Sequence, residues 1–182
     1  MLENAPAEVK SKRLLLRWPQ HCDAAAIQRQ ANNPRVALMT ANIPLPYTLS
    51  DATDWLGRLA GLRTSGTTLA YAVLTQSKKQ LIGVIALMRI ADGEAELGYW
   101  IGEEFWGQGY CSEAGRAILD VGFTMLNLRG VRAHHIAKNP ASGRVLEKIG
   151  FGSLDTEERL FRGQRLPCRT YYLARTNQPT DL

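Results

Sequence analysis

Several features that define other protein classes are missing from this 182-residue chain. The longest nearly apolar run, Leu81–Met88, is much shorter than the ~18 residues that a membrane-spanning helix needs. The first residues, MLENAPAEVKSKR, include acidic side chains and no apolar core, so they do not resemble a secretory signal. From these absences we expect a cytoplasmic protein without a membrane partner.

Cysteine and histidine are scarce. The three cysteines are isolated from one another and form no CxxC pair, which argues against a disulfide framework and against a cysteine-based zinc site. The three histidines fit neither HExxH nor another usual metal-ligand spacing. We therefore expect no metal.

Acidic residues are fewer than basic ones, and the difference is local. The net charge is +5, but residues 1–128 hold twelve Lys/Arg and twelve Asp/Glu, whereas residues 129–182 hold ten and five. The positive charge of the last third favours an anion site or an acidic partner. The sequence has no basic stripe and no aromatic spacing typical of RNA-binding modules, so we expect no nucleic-acid partner.

The periodicity of the apolar residues changes along the chain. Residues 13–18 have strand character, Asp23 and Ser50 are candidate N-caps of two helices, and Pro34 is expected to end the first helix. Three short apolar runs separated by turn signals then predict antiparallel strands. These runs are 69–74, 81–90 and 94–101.

After these strands, helices and strands alternate. Apolar residues between 114 and 125 recur at helical spacing, residues 131–137 have strand character, and Asn139 and Gly150 are the expected limits of a short helix. Two last strands flank a turn at 162–164. This order predicts an α+β (α/β-like) fold, with a mixed, mostly antiparallel central sheet and helices on both faces.

The segment from Trp100 to Ala114 carries the strongest functional signal. A predicted strand ends there, Gly107 and Gly109 form a Gly-x-Gly loop, and a long helix begins. Glycines let the backbone approach a ligand closely, and unpaired N–H groups at a helix start point at an anion. The loop matches neither GxxxxGK[ST] nor GxGxxG, because Ser112 stands at the third glycine position. An ordinary glycine-rich turn remains the alternative.

Five segments, in this order and spacing, resemble the GCN5-related N-acetyltransferases (GNAT) and, within them, the RimJ/RimL-like ribosomal-protein N-terminal acetyltransferases. The resemblance covers residues 11–175. Its motifs are RLLLR (13–17), AELGYWI (95–101), WGQGYCSEA (106–114), NPAS (139–142) and LEKIGF (146–151). It implies a GNAT fold in a single acetyltransferase domain over residues 1–182, with the sheet splayed between its fourth and fifth strands.

The resemblance also implies the acetyl donor and its site. Members of the family bind acetyl-CoA, with the pyrophosphate on the glycine-rich loop and the CoA arm beside the strand that ends at Ile101. A backbone N–H of Trp100 or Ile101 would polarise the thioester carbonyl, as in an oxyanion hole. Asn139 and Ser142 would contact the CoA arm. The loop residues matched to the pyrophosphate are Gly107, Gln108, Gly109, Tyr110 and Cys111.

Glu96 is our candidate base for the acceptor amine. Along an alternating strand its side chain lies on the face opposite to Leu97 and Tyr99. An ion pair with a nearby arginine is the alternative interpretation of this carboxylate. Glu157, Glu158 or a chain of water molecules are alternative bases.

Ser142 is our candidate for the group that hydrogen-bonds the leaving sulfur, in place of a general acid. Many GNAT enzymes place a tyrosine where this chain has Leu146, whereas the RimJ/RimL-like branch offers the serine of Asn-x-x-Ser. Two further positions depart from the family pattern: Glu104 replaces a Gln or Arg before the loop, and Pro167 replaces an aspartate of the last hairpin. For Cys111 we favour a packing role over a nucleophilic one.

The branch implies that the acceptor is a protein N-terminal α-amine. Such an amine has a pKa of ~7.7–8.0, against ~10.4 for lysine, so a weak base suffices near neutral pH. The alternatives are a small amine (an antibiotic, a polyamine or an amino acid) and a non-catalytic acyl-CoA-binding module. Arginines 159, 162, 165 and 169 in the last hairpin would border the acceptor and favour a protein with an acidic surface. We expect a monomer or a homodimer.

Overall fold

The computed structural model describes Leu2 and residues 5–175. Within this part of the chain, eight strands form one sheet: β1 Glu8–Lys10, β2 Leu14–Arg17, β3 Leu69–Thr75, β4 Leu81–Ala91, β5 Glu94–Ile101, β6 Gly130–Ile136, β7 Gly152–Phe161 and β8 Gln164–Ala174. The same residues form five α-helices: α1 Ala24–Ala31, α2 Pro34–Ala37, α3 Leu49–Thr64, α4 Tyr110–Thr124 and α5 Pro140–Lys148. None of these helices is long and apolar enough to cross a membrane.

The sheet has the order β1-β2-β3-β4-β5-β6-β8-β7, and it opens between β5 and β6. All neighbouring strands are antiparallel except β5 and β6. These two strands pair in parallel at three positions only, from Glu94–Gly130 to Glu96–Arg132, and then separate. They are the predicted fourth and fifth strands, renumbered because a short strand precedes the first predicted one. The predicted mixed, mostly antiparallel sheet is confirmed.

Hydrophobic cores lie on both faces of the sheet. α4 and α5 cover one face, where Leu97, Ile101 and Ile118 are buried. α1 and α3 cover the other face, where Leu56 is buried and Trp100 is partly buried. Each fully buried leucine or isoleucine contributes roughly 1.5–3 kcal/mol, so side chains from both sides of β5 hold this strand in place up to the point where the sheet opens.

One predicted helix start is wrong, and one short helix was not predicted. α3 begins after Thr48 rather than Ser50, because Thr48 and Asp51 form a capping box: Asp51 N–H donates to Thr48 Oγ1 at 3.2 Å, and Thr48 N–H donates to Asp51 Oδ2 at 2.7 Å. Pro34 does more than end α1, since it is the first residue of α2, whose N-cap is Asn33.

Candidate active site

The glycine-rich loop joins the end of β5 to the start of α4. After a short 3-10 turn at Glu103–Phe105, the chain adopts left-handed backbone at Gly107 (φ 74°) and at Gly109 (φ 78°). Gly109 is the N-cap of α4. A Cβ atom on Gly107 would meet nothing within 4 Å, so the outer surface of the loop is open for a ligand.

A row of backbone donors follows these glycines. The N–H groups of residues 107–112 make no hydrogen bond of ordinary distance and angle to any acceptor in the described residues. The first N–H groups of a helix have no partner inside the helix, and together with the helix dipole they attract anions. The five residues predicted to bind the pyrophosphate therefore all have a backbone N–H without a protein acceptor in the described part of the chain.

Arg13 fixes this loop from the side. Its Nη1 donates to the carbonyl of Gln108 at 3.0 Å, and its Nε donates to Glu113 Oε2 at 2.7 Å. The guanidinium also lies over the Tyr110 ring, 4.5 Å from its centroid. Arg13 thus holds the loop conformation and adds positive charge beside the anion site. In the sequence it was visible only as the first residue of the RLLLR motif.

The open edge of β5 starts where the sheet splits. Gly102 N–H donates to the Ile82 carbonyl at 2.8 Å, which sets the phase of the β4–β5 ladder. Since bonded and non-bonded pairs alternate in an antiparallel ladder, the N–H of Trp100 is directed at β4. The N–H groups of Tyr99 and Ile101 point into the split instead. Of the two predicted oxyanion donors, Ile101 therefore directs its N–H into the split and Trp100 does not; Tyr99 is the other of these residues whose N–H points there.

The Glu104 departure from the family pattern has a structural explanation. Glu104 Oε1 accepts a hydrogen bond of 2.8 Å from Nε2 of the buried Gln30. Next to it, Glu103 Oε2 accepts from Asn33 Nδ2 at 2.7 Å, and Glu103 also pairs with Arg35. The turn before the loop is thus attached to α1 and α2 through its acidic side chains.

The start of α5 forms the opposite wall of the split. Asn139 caps this helix, since its Oδ1 accepts from Ser142 N–H at 3.3 Å, and Pro140 occupies the first helical position. The predicted cap is confirmed. Ser142 Oγ lies 2.8 Å from the phenolic oxygen of Tyr99, so a hydrogen bond joins α5 to β5 across the split.

Glu96 lies on the other face of β5, as the alternation predicts, with its side chain 13% exposed. Its Oε2 pairs with Arg89 and lies 3.9 Å from Arg159 Nη1, while its Oε1 lies 3.4 Å from His134 Nδ1. We call these four residues the Glu96 cluster. The ion pair with an arginine, which was the alternative interpretation of Glu96, is present. The arginine contacts are made by Oε2, and Oε1 faces His134.

His134 is neutral within the Glu96 cluster. Arg159 Nη1 lies 2.6 Å from His134 Nδ1, and because a guanidinium only donates, this nitrogen accepts and the ring hydrogen is on Nε2. Burial lowers the pKa of His134, the Glu96 carboxylate opposes part of this shift, and the charges of Arg159 and Arg89 lower the pKa further, so the net shift is downward. His134 and His135 are adjacent in β6 and therefore lie on opposite faces of the sheet, but no spacing in the chain indicates that His134 meets Glu96.

The alternative bases and the Cys111 thiol occupy different surroundings. Glu157 lies on the face of the Glu96 cluster, 57% exposed, with its Oε2 3.6 Å from Arg159 Nε. Glu158 is the next residue of β7 and therefore faces the other way. Burial raises the pKa of the Cys111 thiol to about 12, so a thiolate nucleophile does not form there at neutral pH.

Two of the four hairpin arginines make internal contacts. Arg159 belongs to the Glu96 cluster, and Arg162 Nη1 donates to the carbonyls of Ala37, at 3.3 Å, and Ile43. Arg162 therefore fastens the tip of the β7–β8 hairpin to α2 and the segment after it. Arg165 and Arg169 are exposed. Arg169 pairs with His135 and therefore lies on the face of the sheet opposite to the Glu96 cluster.

Comparison with known proteins agrees with this geometry. A family model described as an acetyltransferase (GNAT) domain matches residues 13–152. The Bacillus licheniformis protein named "Uncharacterized N-acetyltransferase p20" is 31% identical over 144 residues, 78% of this chain and 80% of its own length. The chain therefore belongs to the GNAT acetyltransferase family, and it is an acetyltransferase.

Two solved structures illustrate the range of acceptors on this fold. The ribosomal-protein-S5-alanine acetyltransferase from Vibrio fischeri aligns with a TM-score of 0.81 at 18% identity, over 94% of this chain and 98% of its own. The spermidine N-acetyltransferase from Vibrio cholerae, in complex with CoA and spermine, aligns with a TM-score of 0.75 at 23% identity, over 90% and 96%.

Proposed function

We propose that this enzyme transfers an acetyl group from acetyl-CoA directly to the α-amine at the N-terminus of a protein. The arginines around Glu96 carry this proposal. A second cation at 4 Å from an arginine is disfavoured by about 1 kcal/mol in water, and by about 4 kcal/mol at an effective dielectric constant of 20. Arg89 and Arg159 therefore disfavour a polyamine and accept a substrate with one neutral amine.

Each part of the site has a defined task in this reaction. Acetyl-CoA supplies an activated acetyl thioester. The N–H groups of residues 107–112 bind the pyrophosphate, and Ile101 N–H donates to the carbonyl oxygen as negative charge develops there. Glu96 Oε1 accepts the proton of the amine through a chain of water molecules, and the Ser142 hydroxyl donates a hydrogen bond to the departing sulfur.

The acidity of the acceptor decides how much help the base must give. An α-amine with a pKa of ~7.7–8.0 is partly neutral near pH 7.5, whereas a lysine amine with a pKa of ~10.4 is neutral in fewer than about one molecule in a hundred. A carboxylate already paired with Arg89 suffices for the first amine and not for the second. Glu96 thus matches an N-terminal acceptor better than a lysine side chain.

A small amine is the second candidate acceptor, because the aligned spermidine N-acetyltransferase acts on one. We would compare peptides with free N-termini against spermidine, spermine and free amino acids, with acetyl-CoA as donor and thiol release as readout. Peptides with a blocked N-terminus and a free lysine are the matched control. We expect kcat/KM at least ~10-fold higher for free N-terminal peptides than for polyamines, a difference of about 1.4 kcal/mol. Faster turnover of spermidine, or of the blocked peptides, contradicts the proposed acceptor.

A further inference from the structure

The phenol of Tyr99 connects the two walls of the split. Its oxygen lies 2.8 Å from Ser142 Oγ and 3.1 Å from the Ser142 carbonyl. The aromatic ring packs against the core on the α4/α5 face of the sheet. Tyr99 also directs its backbone N–H into the split, so one residue lines the predicted path of the CoA arm and contacts the serine opposite.

The phenol has one hydrogen and two acceptors within reach. If Tyr99 donates to the Ser142 carbonyl, the serine hydroxyl must donate back to Tyr99 and has no hydrogen left for a substrate. If Tyr99 donates to Ser142 Oγ, the serine hydrogen is free to point into the split. The second arrangement leaves no acceptor unsatisfied, because the Ser142 carbonyl is inside α5 and accepts from Leu146 N–H.

Burial keeps the phenol protonated. It raises the pKa of Tyr99 above the ordinary tyrosine value, and the neighbouring Cys111 raises it further. A phenol in this state is a permanent hydrogen-bond donor at neutral pH. Neither the serine nor the tyrosine is acidic enough to protonate a thiolate, since a thiol has a pKa of ~8.5 and a tyrosine ~10. The two hydroxyls can therefore stabilise a thiolate by hydrogen bonding without transferring a proton to it.

We infer that Tyr99 is a positioning residue, which donates to Ser142 Oγ and thereby directs the serine hydrogen at the sulfur that leaves during acetyl transfer. This inference rests on the proposed function. When the C–S bond breaks, its electron pair stays on sulfur as a thiolate, and the proton lost by the amine goes to Glu96. Exchange with water then moves one proton from Glu96 to the thiolate, which completes the balance of amide and thiol.

The thiol of bound CoA reports this hydrogen-bond chain directly. We would titrate it by the ultraviolet absorbance of the thiolate, with the desulfo-CoA complex as blank to remove the signals of the cysteines and tyrosines. In the wild-type protein we expect a bound-thiol pKa below that of free CoA titrated in parallel. Ser142→Ala and Tyr99→Phe should each raise it by about one unit, and the double variant should raise it no further.

Kinetics give a second readout. One pKa unit corresponds to a factor of ten, so Tyr99→Phe should lower kcat by about 10-fold with little change in the KM for acetyl-CoA. Tyr71→Phe is the matched control, because Tyr71 is another buried phenol and donates to the Pro6 carbonyl at 2.6 Å, away from the split. It should leave both kcat and the bound-thiol pKa unchanged.

Three outcomes separate this inference from the proposed function. If the wild-type protein does not bind CoA, then acetyl-CoA is not the donor, and both the proposed function and this inference are wrong. Acetyl transfer by the wild type with an unchanged thiol pKa in Tyr99→Phe, or with additive shifts in the double variant, overturns the inference alone. An unchanged pKa in Ser142→Ala overturns it as well, and this test holds even if the Tyr99→Phe chain does not fold.

Discussion

The two sides of the split are built in different ways. The donor side uses backbone N–H groups from one continuous segment, the end of β5 and residues 107–112. The acceptor side uses the side chains of the Glu96 cluster, which come from four strands, β4 to β7. Side-chain replacement on the acceptor side therefore leaves the donor site intact. Under the proposed function, a change of acceptor therefore requires side-chain substitutions only, with the same donor site.

The largest expected effect comes from blocking the donor side at Gly109. A tryptophan there would strain the left-handed backbone (φ 78°) and fill the mouth of the loop. We expect Gly109→Trp to weaken CoA binding by at least ~100-fold, about 2.7 kcal/mol, in calorimetry. Gly66→Trp is the control, since Gly66 also has positive φ (74°) and open space around it. If both variants lose CoA binding equally, the loop is not the pyrophosphate site.

Glu96→Gln tests the acceptor side. The amide keeps the size of the side chain and cannot take a proton, so we expect kcat with an N-terminal peptide to fall ~100-fold near pH 7, the lower range for a general base. The loss should shrink above pH ~8, where the α-amine deprotonates without help. CoA affinity should not change.

The control for Glu96 is Arg89→Gln, which removes the ion pair and retains the carboxylate. A loss of kcat in Arg89→Gln as large as in Glu96→Gln, with the same pH profile, would mean that the pair is structural and that Glu96 is not the base.

Arg162→Ala loosens the hairpin that closes the acceptor side. It removes hydrogen bonds from a charged donor to the carbonyls of Ala37 and Ile43, and we expect the acceptor KM to rise ~5–10-fold, about 1–1.4 kcal/mol. The KM for acetyl-CoA should stay constant. Arg165→Ala removes the same charge from an exposed neighbour. Equal increases in both variants would assign the effect to charge rather than to the contact.

Glu104→Gln should have almost no effect, because the donor side binds through its backbone. The glutamine oxygen still accepts from Gln30 Nε2, so we expect less than a ~2-fold change in CoA affinity, about 0.4 kcal/mol. A tenfold change in that affinity, in either direction, would show that the side chain before the loop contributes to binding.

His134 gives the smallest effect, on stability in acid. Burial lowers its pKa in the folded protein, below the ~6.5 of the unfolded chain. Its contribution to stability is therefore complete above pH ~6.5 and is lost as the pH falls through the folded-state pKa. Thermal melts at about pH 7.5 and 5.5 should show a larger drop in Tm for the wild type than for His134→Gln. Equal drops in Tm would show that the His134 imidazole is exposed to solvent in the folded protein.

The local structure of the glycine-rich loop, of β5 and of the start of α5 could be predicted from the sequence because each of its signals is local. The glycines of the loop, the Asn139 cap and the alternation of β5 each depend on a few consecutive residues. The direction of the Trp100 N–H could not be predicted, because it follows from the phase of the β4–β5 ladder. A local rule also failed at Ser50, since Thr48 gains the reciprocal bond to Asp51.

The Glu96 cluster was beyond sequence reasoning for a different reason. Arg159 meets His134 only because β8 lies between β6 and β7, and because the β7–β8 register shifts between Ser153 and Thr156. A one-residue change of that register would turn Arg159 to the other face. The Tyr99–Ser142 bond likewise depends on how far α5 stands from β5, which no spacing in the chain encodes.

Because β5 pairs with β6 at three positions only, a small rotation of β5 about the last pair moves the end of the strand by a large distance. Pairing ends at Glu96–Arg132, and Ile101 lies five residues further on, about 16 Å at ~3.3 Å per residue. A rotation of β5 by 5° about that point would displace the Ile101 N–H by about 1.4 Å, more than the ~1 Å misplacement that can reduce a rate 100-fold. The contact of Arg132 with Glu94, 3.3 Å apart, is thus at the fulcrum, where a substitution would change the catalytic rate by moving the Ile101 N–H.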